Sequence, residues 1–135
     1  MKEEIRTFIN YRMERSRESL EEAEILLEKG YTNTFVNRLY YACFYSVSAL
    51  LLIKNYSSSK HSGIKALFEQ YFVKTGDIAK DYAALYNKLY RNRQKGDYAD
   101  LVRFDVNEVR PWFDETKKFV EVIEEILKKK LEDDK

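Results

Sequence analysis

The sequence predicts an all-α protein, an antiparallel up-and-down bundle of four main helices plus one short helix. Its 135 residues include 4 Gly and 1 Pro, and such a scarcity of helix breakers favours long helices over sheets. Apolar residues recur at spacings of three and four along most of the chain, which is the helical period. Short connections between such helices favour antiparallel neighbours. We therefore expect residues 1–135 to form a single helical domain with its own core.

Composition restricts the location and the possible partners of the protein. The 24 Lys and Arg residues nearly cancel the 23 Asp and Glu residues, so no global field draws the chain to nucleic acid and any polyanion site must be local. The single cysteine, Cys43, excludes an intramolecular disulfide and a zinc site made of cysteines. The first twenty residues lack the apolar core of a signal peptide. We expect a cytoplasmic protein without membrane contact.

The first helix is predicted from Lys2 to Glu28, where apolar residues alternate with charges at helical spacing. Gly30 is expected to end it, because glycine takes the left-handed conformation that terminates helices. Thr32 or Asn33 can cap the next helix. The residues expected to face inward are Ile5, Ile9, Met13, Ser16, Leu20, Ala23 and Leu27.

The central helix is predicted from Thr34 to Asn55, the longest apolar stretch of the chain. It holds no charged residue between Arg38 and Lys54 and has no broad polar face, which indicates a helix surrounded by others. At about 1.5 Å per residue, its 15 uncharged residues span about 22 Å, less than the roughly 30 Å of a bilayer core. A core helix of a soluble protein is the better interpretation.

The third helix is predicted to be short, after the polar loop 56–59, in which Ser59 can serve as its N-cap. Gly76 is expected to end this helix and Asp77 to cap the fourth, which runs to Gly96. The third helix should turn one face inward, made of His61, Ile64, Leu67, Phe68, Tyr71 and Phe72. The fourth should bury Ile78, Tyr82, Leu85 and Leu89, with Tyr86 alongside.

The last helix follows a segment predicted to be irregular, residues 97–104. Asp105 and Glu108 have the spacing of a capping box, whereas Pro111 is expected to place the start of the regular helix a few residues later. The final KKKLEDDK is expected to fray in solvent. The inward residues are predicted to be Val109, Trp112, Phe113, Thr116, Val120, Ile123 and Leu127.

The segment 90–98, YRNRQKGDY, carries the clearest candidate site. The helical period places Arg93 on the inward face and Arg91 on the outward face. An inward guanidinium needs a partner, and Asp97 is the nearest in sequence, at a spacing that suits a bidentate pair. Two interpretations stay open. The pair locks the chain after the fourth helix, or it belongs to an anion pocket that binds phosphate.

Further candidates lie elsewhere in the chain. His61 is the only histidine, and an unperturbed histidine titrates near neutral pH; it is either a satisfied, partly buried residue or a general acid or base that reaches Arg93. Asn37 and Arg38 either form only the outer end of the central helix or bind an anion. Tyr41, with its neighbouring tyrosines, fits core or interface packing better than base stacking.

Several signatures are missing from the sequence. It contains no Gly-rich phosphate loop, no His-Glu-x-x-His, no nucleophile elbow and no paired cysteines. Standard hydrolase, kinase and metalloenzyme machinery is therefore not visible. We expect no cofactor and no metal ion.

Three blocks, NRLYYACFYSVSALL, KHSGIKALFEQYFVKTG and RNRQKGDYAD, together resemble the small prokaryotic HEPN-domain proteins, a group often encoded beside a minimal nucleotidyltransferase. The resemblance covers about Arg15 to Leu127. It implies an up-and-down helical bundle, in agreement with the periodicity. It also implies a homodimer that brings two active-site arginines together, and a minimal nucleotidyltransferase as partner.

The resemblance implies an RNA-related site. HEPN toxins and defence nucleases cleave RNA with an arginine, often followed by a polar residue, and a histidine four to six residues beyond. Arg91 and Asn92, or Arg93, match the arginine side; no histidine follows, and Asp97 stands in that region. In some pairs the nucleotidyltransferase attaches AMP to a tyrosine close after the motif histidine, a position that corresponds to Tyr98.

Three functions follow as hypotheses. The first is a HEPN component of a nucleotidyltransferase-linked toxin–antitoxin or defence pair, which binds RNA or a nucleotide and acts as a metal-independent ribonuclease. Its catalytic residues would be Arg93, Asp97 and His61, and its binding residues Asn37, Arg38, Tyr41, Arg91 and Asn92. The second is a catalytically inactive HEPN module that docks a nucleotidyltransferase. The third is a purely structural bundle.

Overall fold

The structure, a computed structural model, describes residues 1–98 and 102–134, without the side chain of Tyr98. Every regular element in this part of the chain is helical, which confirms the predicted fold class. Helix α3 continues directly into a π-helical turn, Glu69–Val73, which the sequence did not predict. The helices are α1 (Glu3–Glu28), α2 (Thr32–Leu52), α3 (His61–Phe68), α4 (Lys80–Tyr98), α5 (Val106–Val109) and α6 (Pro111–Asp133).

The four long helices α1, α2, α4 and α6 run alternately up and down. In each neighbouring pair, contacts join later residues of one helix to earlier residues of the other, which is the pattern of antiparallel packing. The pairs are Arg12–Ser48 and Glu22–Arg38 for α1 and α2, Tyr40–Tyr86 and Asn37–Asp97 for α2 and α4, and Tyr82–Phe119 and Lys88–Glu115 for α4 and α6.

Helix α2 lies in the centre and packs against α1, α3, α4 and α6. By length and composition it could cross a membrane, but 67% of its most apolar window is buried inside the bundle. Such burial is typical of the core helix of a soluble protein. Cys43 is fully buried, and its burial raises the pKa of the thiol. The helix ends at Leu52, earlier than predicted, because the chain turns through Asn55, whose φ is +61°.

Helix α1 packs on α2 through small side chains. Ser16, Ser19 and Ala23 are buried, and the Ser16 hydroxyl donates a hydrogen bond to the carbonyl oxygen of Ala42 at 2.6 Å. The inward stripe of α1 is thus confirmed at its centre, whereas Leu20 and Leu27 are only half-buried. Small residues at this seam allow the two helix backbones to approach closely.

Both predicted glycine terminators are confirmed, because Gly30 and Gly76 have φ values of +80° and +86°. The caps predicted after them are wrong. Thr32 is the first residue of α2, and no side chain caps that helix. The hydroxyl of Thr32 donates instead to the carbonyl oxygen of Phe104 at 2.7 Å, and Asn33 binds the same distant segment.

The caps predicted for α3 and α4 are also wrong. Lys60, not Ser59, precedes α3, and it supplies no side-chain cap. Helix α4 begins only at Lys80, and the carboxylate of Asp77 accepts a hydrogen bond from the hydroxyl of Thr75 at 3.0 Å. The Asp77 side chain has thus found a partner other than the free amides of the helix.

Helix α4 runs through Gly96 to Tyr98, farther than predicted. A Cβ atom on Gly96 would approach the ring of Phe104 to 2.9 Å, so this glycine is required for close packing and not for a turn. Asp97 is consequently a helical residue one turn after Arg93, and not part of an irregular segment.

The C-terminal helix largely follows the prediction. Asp105 accepts a hydrogen bond from the amide of Asn107 at 2.9 Å and caps the one-turn helix α5, and α6 begins at Pro111. Phe119 is buried although it was not predicted to be, whereas Phe113 is half-buried. The C-terminal lysines are helical, since α6 continues to Asp133.

Asn33 holds the segment before α5 against the start of α2. Its amide nitrogen donates to the carbonyl oxygens of Val102 (2.7 Å) and Gly96 (3.4 Å), and its side-chain oxygen accepts from the amide of Phe104 (3.2 Å). We expect Asn33→Ala to lower the free energy of unfolding by about 2 kcal/mol, since it leaves partly buried groups unpaired. Urea denaturation measures this, with the exposed Asn10→Ala as control. Equal effects of the two substitutions would contradict the role of Asn33.

Candidate functional site

Arg93 is the centre of the candidate site, and it faces inward as the helical period predicts. It is 9% exposed, and its guanidinium carbon lies 4.7 Å from the centre of the Tyr40 ring. Its Nη1 atom is 3.6 Å from Oδ2 of Asp97, a single ion contact and not the bidentate pair that the spacing suggested. Its Nε atom is buried without a hydrogen-bond partner in the described part of the chain.

A chain of polar contacts leads from Asp97 across α2 to α1. The amide of Asn37 donates to Oδ2 of Asp97 at 2.9 Å, and its oxygen accepts from Nε and Nη2 of Arg38 at 3.0 and 2.6 Å. Nη1 of Arg38 is 3.4 Å from Oε1 of Glu22. The guanidinium of Arg38 also lies 4.9 Å from the centre of the Tyr41 ring. Asn37, Arg38 and Tyr41 thus stand next to the Arg93–Asp97 pair.

His61, the first residue of α3, reaches the same place from a third helix. Its Nδ1 atom is 2.8 Å from the hydroxyl oxygen of Tyr40, and its ring stacks on Phe44 at a centroid distance of 4.2 Å. Burial and the nearby positive charge of Arg93 lower the pKa of His61. Tyr40 therefore stands between the two predicted catalytic residues, with Arg93 over its ring face and His61 at its hydroxyl.

The remaining predicted residues lie apart from this cluster. Arg91 is exposed, as its outward position in the helix predicts. The amide of Asn92 donates to the carbonyl oxygen of Lys88 on its own helix, at 2.8 Å. Neither is brought into contact with Arg93 or His61 by the contacts described. The side chain of Tyr98 lies outside the described part of the chain.

Tyr40 is the residue of this cluster that sequence reasoning missed, because a fully buried aromatic in a core helix looks like packing. Its burial raises the pKa of its hydroxyl, which therefore stays protonated. A signal was present in the sequence: Tyr40 lies one helical turn from both Asn37 and Phe44, and thus on the side of α2 that carries the polar candidates.

The cluster presents hydrogen-bond donors more than metal ligands. In residues 1–98 and 102–134, no three His, Cys, Asp or Glu side chains are placed to hold a metal ion. A guanidinium offers five donors in a planar fork that suits carboxylate and phosphate oxygens. The arrangement is therefore suited to binding an anion next to an aromatic surface.

Comparison with known proteins identifies the family. The model of the HEPN domain matches residues 9–130, most of the chain. The chain belongs to the HEPN family. The match begins before the first of the three sequence blocks that carry the resemblance and ends after the last. It confirms the family inferred from these blocks.

Two relatives illustrate the range of this HEPN family. A UPF0332 protein of Thermotoga maritima is 44% identical over 119 residues, which cover 88% of this chain and 90% of the relative. A protein of Methanocaldococcus jannaschii named "Putative toxin MJ0605" is 40% identical over 98 residues, 73% of each chain. The relatives of this chain thus include HEPN proteins that are named as putative toxins.

The lowered pKa of His61 predicts a pH effect on the stability of this HEPN domain. The unfolded chain takes up the proton near the ordinary value of 6.5, whereas the folded chain takes it up only at lower pH. This contribution to stability is complete above pH 6.5 and is lost as the pH falls towards the folded pKa. Wild type should therefore lose more stability than His61→Asn between about pH 7.5 and about pH 5. Urea midpoints at both pH values measure the difference, and parallel losses would contradict it.

Proposed function

We propose that this chain is the HEPN component of a nucleotidyltransferase-linked toxin–antitoxin or defence pair, and that it binds a phosphate of RNA or of a nucleotide beside Arg93. One observation carries the proposal: a nine-tenths buried guanidinium whose Nε atom has no hydrogen-bond partner in the described residues and whose ion contact to Asp97 measures 3.6 Å. Buried donors rarely stay unpaired. A ligand oxygen is the natural partner.

The surroundings of Arg93 favour a phosphate attached to a nucleoside. Arg38, 23% exposed at its side chain, adds a second guanidinium on the same polar network. Tyr41 and Phe44 are half-buried aromatic rings at the same place. Guanidinium groups together with aromatic faces are a common means of binding single-stranded nucleic acid. The near-zero net charge of the chain is compatible with such a local site.

Metal-independent RNA cleavage is a candidate activity of this site, favoured by the position of His61. The family motif places a histidine four to six residues after the arginine. Here the histidine lies on α3, and Tyr40 connects it to Arg93. The hydroxyl of Tyr40 contacts Nδ1 of His61, and the guanidinium of Arg93 lies over the Tyr40 ring. In cleavage, Arg93 would stabilise the charge that develops on the phosphorane, and His61 or Asp97 would be the acid or base. The contacts of Asp97 to Asn37 and Arg93 suit a residue that orients the arginine.

A catalytically inactive binding module is the second candidate. The observation in its favour is that no histidine follows Arg91 or Arg93. Such a module would dock the nucleotidyltransferase and present it with a substrate, and Tyr98 would remain the residue to test for AMP attachment. In both candidates the protein acts in the cytoplasm, as a homodimer whose two arginine sites face each other.

RNA binding tests the proposal. Purified protein should bind a fluorescent single-stranded RNA at low salt, measured by anisotropy, and the affinity should fall as salt rises. Arg38→Ala should weaken this binding while leaving the urea midpoint nearly unchanged. Arg17→Ala is the matched control, since Arg17 is an exposed cation of α1 that pairs with Glu124. If wild type does not bind, or if both substitutions weaken binding equally, the phosphate site is wrong.

Expression of the protein without its partner separates the two candidates. A ribonuclease should arrest growth and degrade RNA in the presence of a metal chelator. An inactive module should bind RNA or the nucleotidyltransferase and leave RNA intact. Degradation that stops when the chelator is added would contradict the metal-independent mechanism.

A further inference from the structure

We infer that Tyr40 is a positioning residue that holds the neutral His61 ring as its Nε2–H tautomer, so that His61 meets a bound phosphate as a hydrogen-bond donor and not as a base. The inference rests on the proposed function for the identity of the ligand. The position of the proton on the ring is independent of any ligand.

The direction of the hydrogen bond follows from the burial of Tyr40. Its side chain is 0% exposed, and a hydroxyl carries one hydrogen that needs an acceptor when buried. His61 Nδ1, 2.8 Å away, is such an acceptor. The hydroxyl of Tyr86 is close enough to Tyr40 to influence the pKa of its hydroxyl, but the two groups do not meet the geometry of a hydrogen bond, so His61 Nδ1 is the acceptor within reach among the described residues. Nδ1 therefore accepts, and the proton of the neutral ring resides on Nε2.

The groups around His61 also favour its neutral form. Tyr40, Tyr41 and Phe44 contact the ring from α2, and the charged group acting on it from α4 is Arg93. No carboxylate within residues 1–98 and 102–134 forms an ion pair with the ring. An imidazolium would face the charge of Arg93 and would also have to donate from Nδ1 to a hydroxyl that already needs an acceptor. The lowered pKa of His61 agrees with this geometry.

A His61 ring protonated on Nε2 offers a ligand a hydrogen-bond donor and not a base. Arg93 and the Nε2–H group of His61 both supply donors, which suits the oxygens of a phosphate. A base must offer a free lone pair, and in this tautomer the lone pair of the ring is engaged by Tyr40. A neutral imidazole of this kind polarises a ligand without taking its proton. If RNA is cleaved, a group other than His61 takes the proton from the 2′-hydroxyl.

The single histidine makes the tautomer directly measurable. In 15N-labelled protein at about pH 8, above the ordinary histidine pKa, a long-range 1H–15N correlation spectrum shows one pair of imidazole nitrogens. We expect the pattern of a protonated Nε2 and an unprotonated Nδ1. The opposite pattern, with the proton on Nδ1, would overturn the inference without any variant being made.

Two matched variants test whether Tyr40 is the cause. Tyr40→Phe removes the hydroxyl and should give a mixture of tautomers. Tyr41→Phe alters a ring that also contacts His61 but makes no hydrogen bond to it in the described contacts, and should leave the Nε2–H form intact. An unchanged tautomer in Tyr40→Phe, or equal changes in both variants, would refute the positioning role. If Tyr40→Phe does not fold, the wild-type spectrum decides.

Titration with inorganic phosphate separates this inference from the proposed function. Binding should shift the Nε2 and Hε1 resonances of wild type, with the tautomer unchanged. The expected tautomer without any response to phosphate refutes the phosphate pocket and supports the role of Tyr40. A response to phosphate from a ring protonated on Nδ1 supports the pocket and refutes the role of Tyr40.

Discussion

Arg93→Ala is expected to weaken the binding of single-stranded RNA by about 10- to 100-fold. A hydrogen bond to a charged group contributes about 1.5–3 kcal/mol, and about 1.4 kcal/mol corresponds to a factor of ten in affinity. Arg93 is buried, and its Nε atom has no hydrogen-bond partner in the described part of the chain, so a solvent molecule is a poor substitute for it. Fluorescence anisotropy at low salt measures the loss. The dependence of affinity on salt should fall as well, because one phosphate contact is removed.

The matched control for this experiment is Arg91→Ala. Arg91 lies on the same helix two residues earlier and is exposed, so its loss should change affinity by less than about threefold if only screened charge is removed. Arg93→Lys should be intermediate, because lysine keeps the charge and loses the planar fork. Equal losses in the two alanine variants would mean that RNA recognises the general charge of α4. Circular dichroism and the urea midpoint exclude unfolding as the cause.

Phe119→Ala is expected to lower the free energy of unfolding by about 3–5 kcal/mol, the usual cost of truncating a buried phenylalanine. The side chain is 1% exposed, and its ring centre lies 5.9 to 6.1 Å from those of Phe68, Tyr82 and Tyr86. These residues come from α3 and α4, so the cavity would open where three helices meet. Urea denaturation at neutral pH measures the change.

Phe8→Ala is the control for Phe119→Ala. Phe8 is 56% exposed on α1, and the same truncation should change stability by less than about 0.5 kcal/mol. Unchanged denaturant slopes in both variants would show that the comparison reports stability and not a change in the unfolded state. A small effect at Phe119 would mean that the aromatic cluster can collapse into the space.

The fold was accessible from the sequence because its signals are local. The helical period identifies the stripe of α1, and Gly30 and Gly76 mark helix ends because glycine adopts a positive φ at little cost. The caps predicted for α2 failed because Thr32 and Asn33 bind a segment about seventy residues away. No local pattern reports such a partner.

The candidate site was predictable in part. The period of α4 placed Arg93 inward, and closeness in sequence suggested Asp97 as its partner. That Asn37 binds Asp97 follows from the antiparallel register of α2 and α4, which the sequence does not give. The approach of His61 depends on how α3 packs, and the role of Tyr40 is hidden because one side chain serves both the core and the site.

The attachment of residues 102–104 to the start of α2 affects the order in which the site is assembled. Asn33 and Val102 are 69 residues apart in sequence, whereas the α1–α2 contacts of Ser16 and Ala42 span 26. Contacts between distant residues close large loops and tend to form later in folding. On the ribosome, Asn33 can make its hydrogen bonds to this segment only after residues 102–104 have emerged. The helical hairpin can therefore form on a growing chain well before the candidate site is complete.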